Sequence, residues 1–304
     1  FHDRREKILM QRGSWPSMLG YDTATPWGNV GKADNRGFDA SLNWTKQLTD
    51  DFSMSVRGTL TYIKNKLVYV DEPDYTYTWQ STTGWPLVSY RWVGYVADGL
   101  FKDQEDIDNS PEQNLGSLVM PGDIKYRDLN GDGKITKEDR TLISDCGTAP
   151  RLQYGIGLYL KWKGFDLGMF FNGSGKRTIY QSPMNPFGAD TGTEWGAGER
   201  QLAKYIDQQR WTEANPDPNA KYPRLGTLYT DVRNNLETSS YWLRDGSFIR
   251  FKTLEFGYTF PYCRVYFSAD NLAVWSPFKL WDPELSWNSF PLQRTFNIGL
   301  QFNF

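Results

Sequence analysis

Residues 126–139 read YRDLNGDGKITKED. Counted from Asp128, side-chain oxygens fall at positions 1, 3, 5 and 12 of a twelve-residue calcium loop: Asp128, Asn130, Asp132 and Asp139. Gly133 takes the sharp-turn position, Lys134 offers a main-chain carbonyl, and Thr136 can bind directly or through water. Hard oxygen donors at this spacing suit Ca²⁺ better than any other common metal. Asp139 departs from the usual Glu at the last position, as dockerin-like loops do. The competing reading is a tight Asx-turn loop in which Asn130-Gly131 and Asp132-Gly133 supply left-handed positions. Either way, no pair of helices brackets the loop.

Other candidate chemistry is thin. Asp103, Glu105 and Asp106 could suggest a glycosidase pair, but that reaction needs two carboxylates placed across a bond, and a cluster on one loop is a solvated surface. GSGKRT at 173–178 lacks the full phosphate-loop spacing and reads as a strand-end turn. A single His, His2, counts against a Ser-His-Asp triad and His-based metal sites, and with no placed acid and nucleophile no enzyme is expected. Cys146 and Cys263 have neither metal-ligand nor disulfide-framework spacing. Tryptophans in the long connecting segments, Trp85, Trp92 and Trp195 above all, can stack on a ligand or a covering partner, or simply pack the loops. Trp44, Trp162 and Trp242, near strand ends, suit an interfacial aromatic belt.

The elements that would hold these residues are strands. The 304 residues are 39% hydrophobic, below the globular average, yet 16% aromatic with 13 Trp. That balance fits a sheet with one apolar face. A net charge of −2 and a pI near 5.6 give no support to a nucleic-acid partner. At the C-terminal end, Phe296, Ile298, Leu300, Phe302 and Phe304 alternate with Thr295, Asn297, Gly299, Gln301 and Asn303. The same period of two runs through 38–48, 52–62, 151–162, 165–171, 254–260 and 265–269. Sandwich strands average about five or six residues, whereas membrane strands need about 9–11, apolar toward lipid and polar toward the lumen. Length favours the barrel.

Tight turns at 49–51 and 163–164 and at Pro261 contrast with long segments at 63–150, 179–240 and 273–291. Short turns on one side and long loops on the other mark an outer-membrane barrel. With the C-terminal end on the short-turn side, parity makes 1–34 and the long segments extracellular and leaves seven spanning strands. Residues 1–304 are then the C-terminal region of a larger barrel domain. Cys146 falls outside and Cys263 inside, so both thiols are expected free.

Several stretches resemble one family. PGDIKYRDLNGDGKITKEDRTLI (121–143), KGFDLGMFFNGSGKRTIY (163–180) and RWTEANPDPNAKYPRL (210–225) are similar to successive signatures of the SusC/RagA TonB-dependent outer-membrane transporters. YWLRDGSFIRFKTLEFGYTFP (241–261), VYFSADNLAVWSPFKLWDPE (265–284) and, earlier, NVGKADNRGFDASLNW (29–44) continue the likeness in order. The resemblance implies an all-β fold, a transmembrane antiparallel β-barrel of about 22 strands with a plugged lumen. It also implies residence in outer-membrane lipid, coupling to TonB through N-terminal parts not seen in this chain, and a SusD-like surface lipoprotein as lid. Oligosaccharides are the implied cargo, with peptides as the alternative. The rival reading is a secreted all-β carbohydrate-binding protein with a dockerin-like calcium loop.

Overall fold

The computed structural model describes all residues except 15–17, 19–24, 88–90, 182–203, 227–228, 286–288 and 303–304. Its frame is one eight-stranded antiparallel sheet in which each strand pairs with the next in order. The strands are β1 (His2–Gln11), β2 (Trp27–Thr49), β3 (Phe52–Tyr69), β4 (Leu152–Trp162), β5 (Phe165–Gly175), β6 (Phe248–Thr259), β7 (Cys263–Trp275) and β8 (Thr295–Phe302). Lys163 and Gly164 close the β4–β5 hairpin, both at positive φ (46° and 90°), the backbone that a two-residue turn between twisted strands requires. Asp50–Asp51 and Phe260–Tyr262 close the other tight turns.

Registry puts the predicted apolar positions of the described strands on one face. Leu42 pairs with Gly58, and Leu160 lies between Met54 and Leu167; Phe256 lies between Leu167 and Phe267, and Phe267 faces Ile298. With no protein packed against it, this face stays open: Leu42 is 60% exposed, Ile156 51% and Ile298 82%. A row of large apolar side chains left bare on a sheet is what a bilayer covers. The other face carries Thr59, Arg57, Gln153, Lys161, Asp166 and Glu255. Several glycines there lie under neighbouring side chains, Phe170 across Gly155 and Gly157, and Tyr159 across Gly168.

The sheet is larger than the alternation suggested. β2 holds 23 residues, about 75 Å at 3.3 Å each, against a hydrocarbon core of about 30 Å. β1 pairs only with Trp27–Arg36, the outer part of β2. Segment 1–34, expected as a plain external connection, is therefore largely sheet that extends outward beyond the seven membrane-depth strands. Cys146 and Cys263 are both free thiols.

Candidate functional site: the outer mouth

The long connections between strands fold into a body of their own. Four two-stranded ladders tie it together: Trp92–Gly94 with Thr141–Ser144, Ala97–Leu100 with Ile124–Tyr126, Glu112–Gln113 with Lys134–Ile135, and Thr178–Tyr180 with Leu243–Asp245. Tyr95, Ile124, Tyr126, Ile206, Trp211 and Trp242 form its core, and Trp242 and Ile124 are fully buried. Trp242 was expected in the interfacial belt; instead its indole donates to Asn235 O at 2.8 Å inside this core. Trp44 and Trp162 do lie exposed on the apolar face near the tight turns.

A buried polar spine runs through the core. Gln113 Nε2 donates to Asn234 Oδ1 (2.6 Å) and to Ile124 O (2.8 Å), while its Oε1 accepts from Tyr126 N (3.0 Å). Asn235 accepts from Ile124 N (2.8 Å) and donates to Asp123 (2.7 Å), which is ion-paired with Arg224 at 2.6 Å. Burial pushes the Asp123 carboxyl up, against the pull of Arg224. Each polar group replaces a lost water, so the network fixes one arrangement of loops distant in sequence.

Loop 128–139 sits on this body and is closed by its own amides. Asp128 accepts from Gly131 N (2.6 Å) and Gly133 N (2.8 Å), and those amides, Gly133 first, hold its carboxyl below the usual range. Gly131 and Gly133 have φ of 77° and 81°, as the Asx turns need. Asn130 accepts from Asp132 N (3.0 Å), and Asp132 from Lys134 N (2.8 Å). Asp139 is fully buried and accepts from Leu129 N (2.8 Å) and Thr136 N (2.7 Å), forming a capping box with Thr136 around a short helical turn. Among the described residues, no three His, Cys, Asp or Glu side chains converge as a metal cluster. The six residues named for calcium thus form one loop, with Asn130 and Asp132 exposed, Asp128 half-buried and Asp139 turned into the protein.

The tryptophans separate. Trp92 stacks on Tyr180 (centroids 4.8 Å apart), and Trp85 lies under the Arg91 guanidinium at 5.3 Å, so both pack the loops. Trp195 is outside the described residues. The polar inner face had no motif to announce it. Arg250 on β6, 1% exposed, forms ion pairs with Asp282 (2.7 Å) and Glu284 (2.7 Å) and also bonds Asn271. Arg177 donates to Pro283 O, so the β7–β8 connection is strapped over the inner wall. Beneath the strap, Gln153, Asn172, Ser174 and Glu284 line a cavity of about 490 Å³. A concave, mixed-polarity hollow at a barrel mouth suits binding of a soluble cargo, and its described lining residues hold no paired acid and nucleophile.

No family model matches the chain. It is 28% identical over its full length to TonB-dependent receptor P26 of Formosa agariphila, covering 32% of that protein. Over 91% of its length it is 22% identical to TonB-dependent receptor SusC of Bacteroides thetaiotaomicron, covering 27% of that receptor. The chain is similar to TonB-dependent receptors of the SusC/RagA kind. It spans about a third of the length of the curated relatives it matches. Among solved structures it resembles the RagAB peptide transporter, with a TM-score of 0.70 at 19% identity over 99% of this chain and 32% of that one. The 'closed-closed' state of the RagAB peptide importer gives 0.67 at 20% identity, covering 99% and 32%. The apolar outer face is thus the lipid face of a receptor barrel in the bacterial outer membrane. The secreted binding-protein alternative is set aside, and the receptor segment is not an enzyme.

Proposed function

We propose that this chain is the C-terminal region of a barrel that imports nutrients across the outer membrane, driven by TonB and capped by a SusD-like lipoprotein. The observation that carries the reading is the bare apolar face over membrane-length strands, joined to a folded loop body with a polar hollow under it. In this scheme cargo is held at the mouth and released inward when TonB displaces a plug carried upstream. Oligosaccharides are the cargo proposed first, since aromatic and amide groups on the loops suit sugar faces and hydroxyls. A peptide cargo is the second reading, favoured by the fold likeness to RagAB.

In cells lacking the full-length receptor, uptake of a labelled oligosaccharide should stop, and should also stop when TonB is deleted. Uptake that continues without the receptor would sink the transport reading. Mass spectrometry of small molecules copurified with the lipoprotein partner separates sugar from peptide. Trp85→Ala and Trp195→Ala should weaken uptake if those rings touch cargo or lid; Trp92→Ala tests loop packing through Tyr180.

Calcium on loop 128–139 is likewise a proposal, supported by the oxygens of half-buried Asp128 and exposed Asn130 and Asp132. Trp79 donates to Lys137 O at 2.6 Å and would sensitise terbium bound there. Terbium luminescence abolished by Asp132→Ala supports the site; no sensitised emission at saturating terbium removes it.

A further inference from the structure

Beyond the outer ends of β5, β6 and β7, the loop body encloses a cleft of about 390 Å³. Tyr205, Tyr222 and Tyr241 wall it, and Lys221, Arg244 and Lys279 ring it. Asp245 is the one carboxylate among the described lining residues. Among the described residues, no carboxylate forms an ion pair with any of the three cations. Arg244 donates to the main-chain carbonyls of Leu243 (3.2 Å), Lys221 (3.2 Å) and Tyr241 (2.5 Å) and lies beside the Tyr222 ring and hydroxyl. Lys221 Nζ reaches Tyr205 Oη at 3.5 Å, and Lys279 is exposed. Elsewhere in this chain, buried or half-buried arginines such as Arg224, Arg250 and Arg264 do meet carboxylates. Gln181, 2% exposed, also lines the cleft; its Nε2 donates to Tyr222 Oη at 3.3 Å and its Oε1 has no partner. Whichever way that amide is turned, one of its polar atoms stays unpaired, a deficit that a ligand hydroxyl or N–H offsets.

We infer that this cleft is a binding site for a carboxylate-bearing ligand that carries a hydroxyl or amide group beside the charge. The tyrosine faces pack its body, and the cationic rim takes its anion. An acidic saccharide and a peptide C-terminus share this chemistry. The inference deepens the transport reading, because it would make the mouth selective for acidic cargo, and it rests on that reading for its purpose.

Equilibrium binding to the purified full-length receptor in detergent tests it with four probes: trigalacturonate, its methyl ester, N-acetyl-triglycine and the corresponding amide. At least one acid should bind about tenfold tighter than its neutral partner, and should weaken as salt rises from about 0.05 M to about 0.5 M. The Lys221→Ala/Lys279→Ala double variant should bring the acid and its neutral partner to within about twofold. Asp245→Asn, which keeps an oxygen for Ser247 N, should strengthen acid binding and guards against a folding artefact. Preference for the saccharide acid or the peptide acid identifies the source. No acid preference, or full preference in the double variant, overturns the inference. A receptor that imports cargo without acid preference loses this inference alone; one that binds the acid but imports nothing loses the transport reading.

Discussion

Asp128 shows what one side chain does for the calcium-type loop. Its two oxygens satisfy the amides of Gly131 and Gly133, so the turn is closed by the protein itself. Charge-assisted bonds of this kind are stronger than neutral ones, and solvent weakens them on a surface loop such as this one. Asp128→Ala should therefore open the turn, and trypsin should cut after Lys134 and Lys137 about tenfold faster than in the parent. Unchanged cleavage would mean that the buried Asp139 alone holds the loop. Because the Asp128 carboxyl is held below its ordinary value, its contribution is complete above the ordinary carboxylate range. It is lost as pH falls through the lowered value, so pepsin nicking within 126–139 should rise only at the acid end of its range.

At the scale of the strand, the lipid face makes the sharpest demand. Ile156 lies mid-way along β4, opposite Gly58 and Phe171. Ile156→Arg should cost about 2–4 kcal/mol of barrel stability in a bilayer. Thr59→Arg, on the polar face beside Gly155, should cost far less. Urea unfolding in lipid vesicles compares the two; equal losses would mean the faces are wrongly assigned. These faces were legible in the sequence because side-chain direction in a strand has a period of two and needs no distant partner. The outward run of β2 was not legible: GNVGKADNRG from Gly28 to Gly37 mixes small and charged residues with no alternation, and its strand character comes from pairing with β1 and β3. Trp242 was misplaced for a related reason. Its neighbours in the core, Ile124, Tyr126 and Ile206, lie far off in the chain, and no local pattern brings them together.

For the molecule as a whole, two assemblies meet at one rim. The sheet is stabilised by lipid on its outside, the loop body by a core and a hydrogen-bonded spine. Trp242→Ala should remove about 3–5 kcal/mol from the loop body. It should leave the strands folded, because Trp242 sits in the core of the loop body with Ile124, Tyr126 and Ile206. Heat-resistant migration of the barrel on gels, with protease-sensitive loops, is the expected pattern; loss of both would show that body and barrel fold as one. The calcium-type loop was legible as a motif and as an outer segment. The cationic cleft at Lys221, Arg244 and Lys279 was not, since it joins three loops separated by 23 and 35 positions and carries no spacing rule.

The Arg250 clamp bears on how the last hairpin is assembled. Its partners are Asn271, Asp282 and Glu284, all later in the chain and all beyond the tight turn at 260–262. A slip of one residue between β6 and β7 would send Asn271 to the opposite face, because side chains alternate. It would also draw the strap's carboxylates away from a guanidinium that has no water to fall back on, a loss of about 3–5 kcal/mol. The clamp therefore acts as a register gauge. Only one alignment of the closing strands lets it engage, and any other leaves a buried charge to drive the hairpin apart again.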